Sequence, residues 1–290
     1  MSLINYIIFR FFVELFRILP FSFIYILSNF FAFILCYIVK YRYKVIYENL
    51  KKSLPEKNEF ELKSLIFPIY KNITDIMVET MKGFTISATT LQKRIKTVNE
   101  EIMEDLYNKY NGIIGVLGHY GNWEWAGLLA GLKLKQKTVA LYKPLSNKYL
   151  DNYIRKNRSR FGIELCPIYI TASTFEKYEN KKVFYALIAD QSPSNINKAI
   201  WIKFLKQDTA CLQGPEKYAR KFNMPVVYVH IERFKRGYYN ITFKILTEKP
   251  KETNEGEITL LYMQTLEQYI HQNPTHWLWS HRRWKHKKTN

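Results

Sequence analysis

A histidine and a glutamate stand five residues apart in Gly118-His119-Tyr120-Gly121-Asn122-Trp123-Glu124. A histidine held by a carboxylate is the simplest side-chain device for taking a proton from a hydroxyl group. On one continuous helix, residues five apart point about 140° away from each other, and a helical His–Glu pair would use a spacing of three or four. His119 therefore belongs in a turn and Glu124 in the first turn of a helix, with Gly118 and Gly121 supplying unusual backbone angles. The flanking sequence agrees. Ile113-Ile114-Gly115-Val116-Leu117 is a short apolar run suited to a buried strand, and Trp123–Leu132 combines long apolar and small residues suited to a helix. A strand-to-helix turn is where α/β folds tend to place chemistry. Taken alone, the same residues also fit a histidine that caps a helix beside a surface glutamate.

The rest of the chain supplies the elements that would position this turn. Residues 43–110 read as mainly helical, with Lys57 to Lys82 carrying apolar residues at helical spacing interrupted by Pro68. Strand-like runs then follow at Ile113–Leu117, Thr138–Tyr142, Val183–Ala189, Val226–Ile231 and Tyr239–Leu246. Between them Trp123–Leu132, Lys148–Phe161 and Glu216–Phe222 read as helices, and Ile258–His271 forms a last one. This alternation predicts an α/β domain with a mainly parallel central sheet flanked by helices. Polar clusters fall where strands end: Tyr142-Lys143-Pro144-Leu145-Ser146-Asn147, then Arg155, Arg158 and Arg160 on the following helix, then Asp190-Gln191-Ser192-Pro193. In a parallel sheet these clusters and His119 converge on the carboxyl ends of neighbouring strands. Individually, the arginines also fit a solvated helix face, Asp190 a turn or cap, and the Trp/Arg-rich tail from Asn273 to Lys285 a membrane-interface belt.

The amino terminus is the second strong signal. Ile18 to Val39 is a stretch of 22 residues without a charge, long enough to span a bilayer. Residues 3–17 are also apolar but carry Arg10, Glu14 and Arg17, and read as interfacial or as a shorter helix. Lys40, Arg42, Lys44, Lys51 and Lys52 follow, and the positive-inside rule leaves the body of the protein in the cytoplasm. The stretch is too long for a cleaved signal peptide and lacks a small-x-small site. Pro20, Ser28 and Asn29 leave open a helical hairpin lying in one leaflet. The expected organisation is a membrane anchor over residues 1–42 and one catalytic domain over 43–290.

The net charge of +19 predicts acidic partners: anionic lipid, nucleic acid or an acidic protein. Twenty-two tyrosines and 19 phenylalanines suit a membrane interface as well as base stacking. A tethered nucleic-acid-binding protein would explain charge and aromatics but gives the His, Asp and Arg clusters no task. Cys36, Cys166 and Cys211 are odd in number and widely spaced, which reads as buried thiols in a reducing compartment. His276, His281 and His286 recur every five residues, a spacing that fits neither a helix face nor a strand face, so no metal is expected.

Together these stretches resemble the late acyltransferases of lipid A biosynthesis over nearly the whole chain. The resemblance rests on five motifs in order: His119-x-x-x-x-Glu124, Tyr142-Lys143-Pro144-x-x-Asn147, Arg158, Ala189-Asp190-Gln191, and Trp279-x-His281-Arg282-Arg283-Trp284-Lys285. It implies a glycerolipid-acyltransferase-like fold at the bacterial inner membrane, facing the cytoplasm. It also implies acyl transfer from an acyl carrier protein thioester to a hydroxyl of a lipid A precursor, without a cofactor. His119 would be the general base and Glu124 its orienter. Arg158 would bind phosphate or balance oxyanion charge, and Asp190 would hold that arginine or act directly. Lys143, Asn147, Gln191, Arg282 and Arg283 would bind or support substrate. The family often has arginine at the Lys143 position and a second acidic residue near Gln191-Ser192, departures that bear on the acceptor. An aminolipid, ornithine lipid, pigment or glycolipid acceptor stays open. The glycerophosphate acyltransferases carry a Phe-Pro-Glu-Gly block that this chain lacks.

Overall fold

A computed structural model describes residues 2–288. The chain opens with two apolar helices, α1 (Ser2–Ile18) and α2 (Phe21–Phe33), the second continued by a π-helical turn over Ile34–Ile38. Helices α3 (Tyr43–Ser53), α4 (Glu59–Gly83), α5 (Ala88–Arg94) and α6 (Glu100–Lys109) follow, with a short strand β1 (Ile95–Thr97) before the last. The α/β part runs β2 (Gly112–Leu117), α7 (Trp123–Lys133), β3 (Lys137–Tyr142), α8 (Lys148–Arg158), β4 (Glu164–Pro167), α9 (Thr171–Lys177) and β5 (Val183–Ile188). A hairpin, β6 (Ala199–Phe204) with β7 (Gln207–Leu212), precedes α10 (Gly214–Phe222), β8 (Val226–Lys235), β9 (Tyr238–Thr247) and α11 (Glu257–Gln272).

Seven strands form one sheet in the order β1-β9-β8-β2-β5-β3-β4. The five from β8 to β4 are mutually parallel, and β9 turns back antiparallel to β8 with β1 parallel to it. β2 sits at the centre and is buried on both faces, which is why it reads as an unbroken apolar run. Its residues alternate between two cores. Ile114 and Val116 pack with Tyr185, Tyr228 and the α11 residues Tyr262 and Leu266, whereas Ile113 and Leu117 pack with Phe184, Val227 and Trp125. Gly115 leaves room for Phe184, whose ring would lie 2.1 Å from a Cβ built there.

The apolar amino terminus belongs to this body. Ile24, Ser28, Ala32 and Cys36, recurring every four residues, are buried against α4, and Ala32 and Cys36 join the main core. α4 itself runs unbroken from Asn58, whose side chain makes a capping box with Glu61. The break expected at Pro68 does not occur. Proline in a helix interior costs about 3 kcal/mol, and the burial of Ile66, Ile69 and Tyr70 around it offsets that loss. The β6–β7 hairpin was absent from the sequence expectation. Its two-residue turn is Leu205-Lys206, both at positive φ, where such turns ordinarily carry Asn or Gly.

Candidate active site

The register of the two central strands brings the chemistry together. Leu117 of β2 pairs with Ile188 of β5, so His119 and Asp190 each lie two residues past a paired position, at the carboxyl edge of the sheet. The Asp190 carboxylate accepts from the His119 ring Nδ1 at 2.6 Å and from the His119 backbone N–H at 2.9 Å. Trp277 Nε1 donates to the same carboxylate at 2.9 Å. The carboxylate on the imidazole is therefore Asp190, and Glu124, expected to orient the ring, makes no hydrogen bond to it. Sequence spacing favoured Glu124 because it is local; parallel strand pairing delivers Asp190 from 71 residues away.

Glu124 has a different partner. It stands in the first turn of α7 and accepts from Arg158 Nε at 2.9 Å and Nη2 at 2.6 Å, a two-point pairing across 34 residues. Arg158 is the last residue of α8, and its Nη1 has no protein acceptor among the described residues. The expectation that Asp190 holds Arg158 is thus also reversed. Two separate pairs, Asp190–His119 and Glu124–Arg158, thus stand beside the same cleft.

The turn between β2 and α7 is built to hold His119 outward. Gly121 sits at φ +65°, and a Cβ there would lie 2.4 Å from the Ile231 carbonyl, so only glycine fits. Gly118 was expected to supply a similar backbone angle. Its φ is ordinary, and its value lies in close packing, since a Cβ would stand 3.0 Å from Leu266 and 3.4 Å from the Asp190 carboxylate. Asn122 caps α7 by accepting from Trp125 N at 2.9 Å. Its amide donates at 2.7 Å to Glu79 of α4, a carboxylate with no exposed surface. Glu79 also accepts from Tyr239 at 2.6 Å and from Tyr25 of α2 at 2.8 Å. Burial pushes its carboxyl above the usual range, against these hydrogen bonds. The tail closes the turn from the other side: Tyr120 bridges Trp277, Gly121 N donates to the His276 carbonyl, and Leu278 N donates to that of His119.

Glu79 and Trp277 were not singled out from sequence. Asn72, Asp75 and Glu79 follow helical spacing on α4 and would be read as a solvated face, yet all three are buried. Trp277 lay in the tail cluster, but nothing local tied it to Asp190.

Electrostatics follow from this packing. Burial alone would lower the His119 pKa, but the charge and hydrogen bond of Asp190, with Glu124 further off, hold it above the ordinary value. Asp190 is buried, which opposes its ionisation, but His119, its backbone N–H and Trp277 hold the carboxyl below the ordinary range. Because Asp190 takes Nδ1–H, the lone pair of Nε2 faces the opening. The Gln191 amide nitrogen lies 3.3 Å from Nε2, within reach to donate to it. Trp123 meets the imidazole edge-on with centroids 4.9 Å apart.

His119, Glu124, Lys143 and Arg158 line one cleft of about 250 Å³, together with Trp123, Gly127, Ala140, Leu141 and Ile188. Those last five residues also line a second, strongly apolar cavity of about 120 Å³ between α7 and the sheet. Small side chains open it: Ala126, Gly127 and Ala130 on α7 face Ala140 and Ala186 on the strands. Its lining runs from Trp123 to Lys133 and Leu134 along α7 and reaches Phe243 on β9.

Other expected site residues lie elsewhere. Asn147 caps α8 and donates to the Ser2 carbonyl at 2.8 Å, a structural role. Arg283 is buried, giving Nη1 to the Ala210 carbonyl at 2.7 Å and Nη2 to Cys211 Sγ at 3.2 Å. Arg282 is exposed in a separate basic depression with Lys44, Lys52 and Lys285. Neither arginine borders the cleft. Trp277 and Trp279 are buried, so this part of the tail is core and not an interface belt. His276, His281 and His286 disperse: against Tyr120, onto Ser192 N and onto the Pro193 carbonyl.

A family model described as bacterial lipid A biosynthesis acyltransferase matches residues 2–286. A search of curated protein sequences returned no match.

Proposed function

This chain belongs to the bacterial lipid A biosynthesis acyltransferase family, and from that premise we propose that it moves a fatty acyl chain from an acyl carrier protein thioester to a hydroxyl of a lipid A precursor. The observation that carries this reading is the Asp190–His119 pair. It leaves Nε2, contacted among the described residues by the Gln191 amide alone, beside a cleft that shares its lining with an apolar cavity. The acyl chain lies in that cavity, each buried methylene contributing about 0.8 kcal/mol, and the thioester carbonyl stands beside His119. Nε2 takes the proton of the acceptor hydroxyl as its oxygen attacks the carbonyl carbon. The tetrahedral oxyanion is stabilised by Arg158, whose guanidinium Glu124 holds in a fixed orientation. The C–S bond then breaks, and the departing thiolate takes the proton from Nε2, which restores the base. Asp190 keeps the imidazole in the productive tautomer and stabilises its charged form.

Lys143 lines the same cleft, and in this reading it meets a phosphate of the acceptor as a single charge. The acceptor group is a 3-hydroxyacyl chain of a phosphorylated glucosamine disaccharide in the inner membrane, met from the cytoplasmic side. The acidic carrier protein suits the net charge of +19.

The test is an assay of purified protein with acyl carrier protein thioesters of several lengths and a tetra-acylated lipid A precursor. Transfer by the wild type and its loss in His119→Ala are expected. Near-normal transfer by His119→Ala would overturn the mechanism, and transfer only to an aminolipid or pigment would move the acceptor.

A further inference from the structure

The membrane reading leaves open how the apolar amino terminus meets the bilayer, and the contacts of α1 and α2 carry that question further. The stretch Phe21–Ile38 has 18 residues and a mean hydropathy of 2.0, enough to cross. Its inward face is not suited to lipid. Tyr25 donates to Glu79, Ser28 donates to Asp75 at 2.5 Å, and Asn29 accepts from Arg236 at 2.9 Å. Asp75 is itself held by Arg233 at 2.6 Å and Arg236 at 2.5 Å. Crossing with these contacts intact would carry two arginines and two carboxylates to the depth of the bilayer, at about 2.5–3.5 kcal/mol for each charged residue near the centre. Crossing without them would strand Asp75, Glu79 and both arginines.

The loop between the helices is fixed as well. Lys82 of α4 donates to the carbonyls of Phe16, Arg17 and Leu19 at 2.9, 2.8 and 2.8 Å, so the far end of a would-be span is tied to the catalytic body. α1 is docked along its length, with Phe9 against Phe84 and Arg10 over Tyr153. The outward faces are apolar. Ile4, Ile7, Phe11, Ile26, Phe30 and Ile38 are each 57–67% exposed, and Lys40, Arg42 and Lys44 follow the second helix.

We propose that α1 and α2 form a monotopic hairpin seated in the headgroup–acyl boundary of one anionic leaflet, with neither helix crossing. This rests on the membrane reading and specifies its geometry. Lipid is the occupant because the patch is apolar and edged by cations, the combination that holds an amphipathic surface on anionic bilayers.

The full chain, with a bimane probe on Phe30→Cys, is mixed with vesicles of phosphatidylethanolamine and phosphatidylglycerol. Cys36, Cys166 and Cys211 are buried, so the wild type serves as the unlabelled blank. Flotation with the vesicles is expected, with stronger quenching by lipids spin-labelled near the headgroup than by those labelled deep in the acyl chain. In addition, an impermeant maleimide sealed inside the vesicles is expected not to reach Arg17→Cys. Deep quenching, or labelling of Arg17→Cys from the lumen, would overturn the hairpin while leaving membrane attachment standing. Failure to float would instead overturn the membrane reading.

Discussion

A histidine works as a base only when its proton sits on the nitrogen that faces away from substrate, and at His119 the group that decides this is Asp190. Removing it should act on both rate and pH dependence. Asp190→Asn is expected to lower kcat by about 10²–10⁴-fold, the range for a mispositioned general base. With His119 as the proposed base, the acid limb of the kcat/KM profile should report its free form, whose pKa Asp190 raises. Activity therefore rises with pH through a value above the ordinary histidine range in the wild type. In Asp190→Asn that limb should move to lower pH, and an unmoved limb would assign it to another group. The Glu124–Arg158 pair makes a second prediction. If Glu124 acts through Arg158 and not through His119, Glu124→Ala and Arg158→Ala should each lower kcat by about 10²–10³-fold. The double variant should then be no worse than either single one; additive losses in a kinetic cycle would break the link. Of this site, His119 and its turn were legible in the sequence, because glycines, an apolar strand and a helix start are local signals. The partner of each charged group was not, since it depends on which strands become neighbours. Asn147, Arg282 and Arg283 were expected to bind or support substrate; they lie away from the cleft as a helix cap, a surface cation and a buried brace.

Among the elements, α7 does two jobs: its first turn presents Glu124, and its small residues open the apolar cavity. Filling that cavity should change the preferred donor without touching the base. Ala130→Phe is expected to shift preference toward shorter acyl chains while sparing transfer of the shortest, as read by competition between thioesters of different length. Equal loss across all lengths would place the chain elsewhere. α4 is the other element on which the site depends, through Glu79. Glu79→Ala would leave buried donors of Tyr25, Tyr239 and Asn122 unpaired at about 1–3 kcal/mol each, so a fall in stability of about 3 kcal/mol or more is expected in denaturant unfolding. Glu79→Gln keeps an acceptor and should recover part of it. The sheet's parallel half was legible because strands and helices alternate in the sequence with clear periodicity. The short edges β1 and β4, and the hairpin on Leu205-Lys206, were hidden. Three or four residues carry too little pattern, and a turn at positive φ without glycine gives no warning.

At the scale of the whole molecule, the excess of positive charge should show in encounter more than in chemistry. Raising ionic strength is expected to raise KM for the acidic protein-borne donor several-fold with little change in kcat, because screening over about 8–10 Å weakens long-range attraction between proteins. A salt-independent KM would remove the charge from donor recognition. The chain's order in space has a further consequence, set by the strap of residues from His276 to Leu278 that hydrogen-bonds across the catalytic turn. His119 is made early, but Trp277 reaches Asp190 only once the whole segment from α7 through α11 has been made. A nascent chain stalled before Asn273 should already protect β2 from proteolysis yet transfer no acyl group. Completion of the His119 turn is thereby expected to follow folding of the sheet, because its last donor, Trp277, lies beyond every strand in chain order.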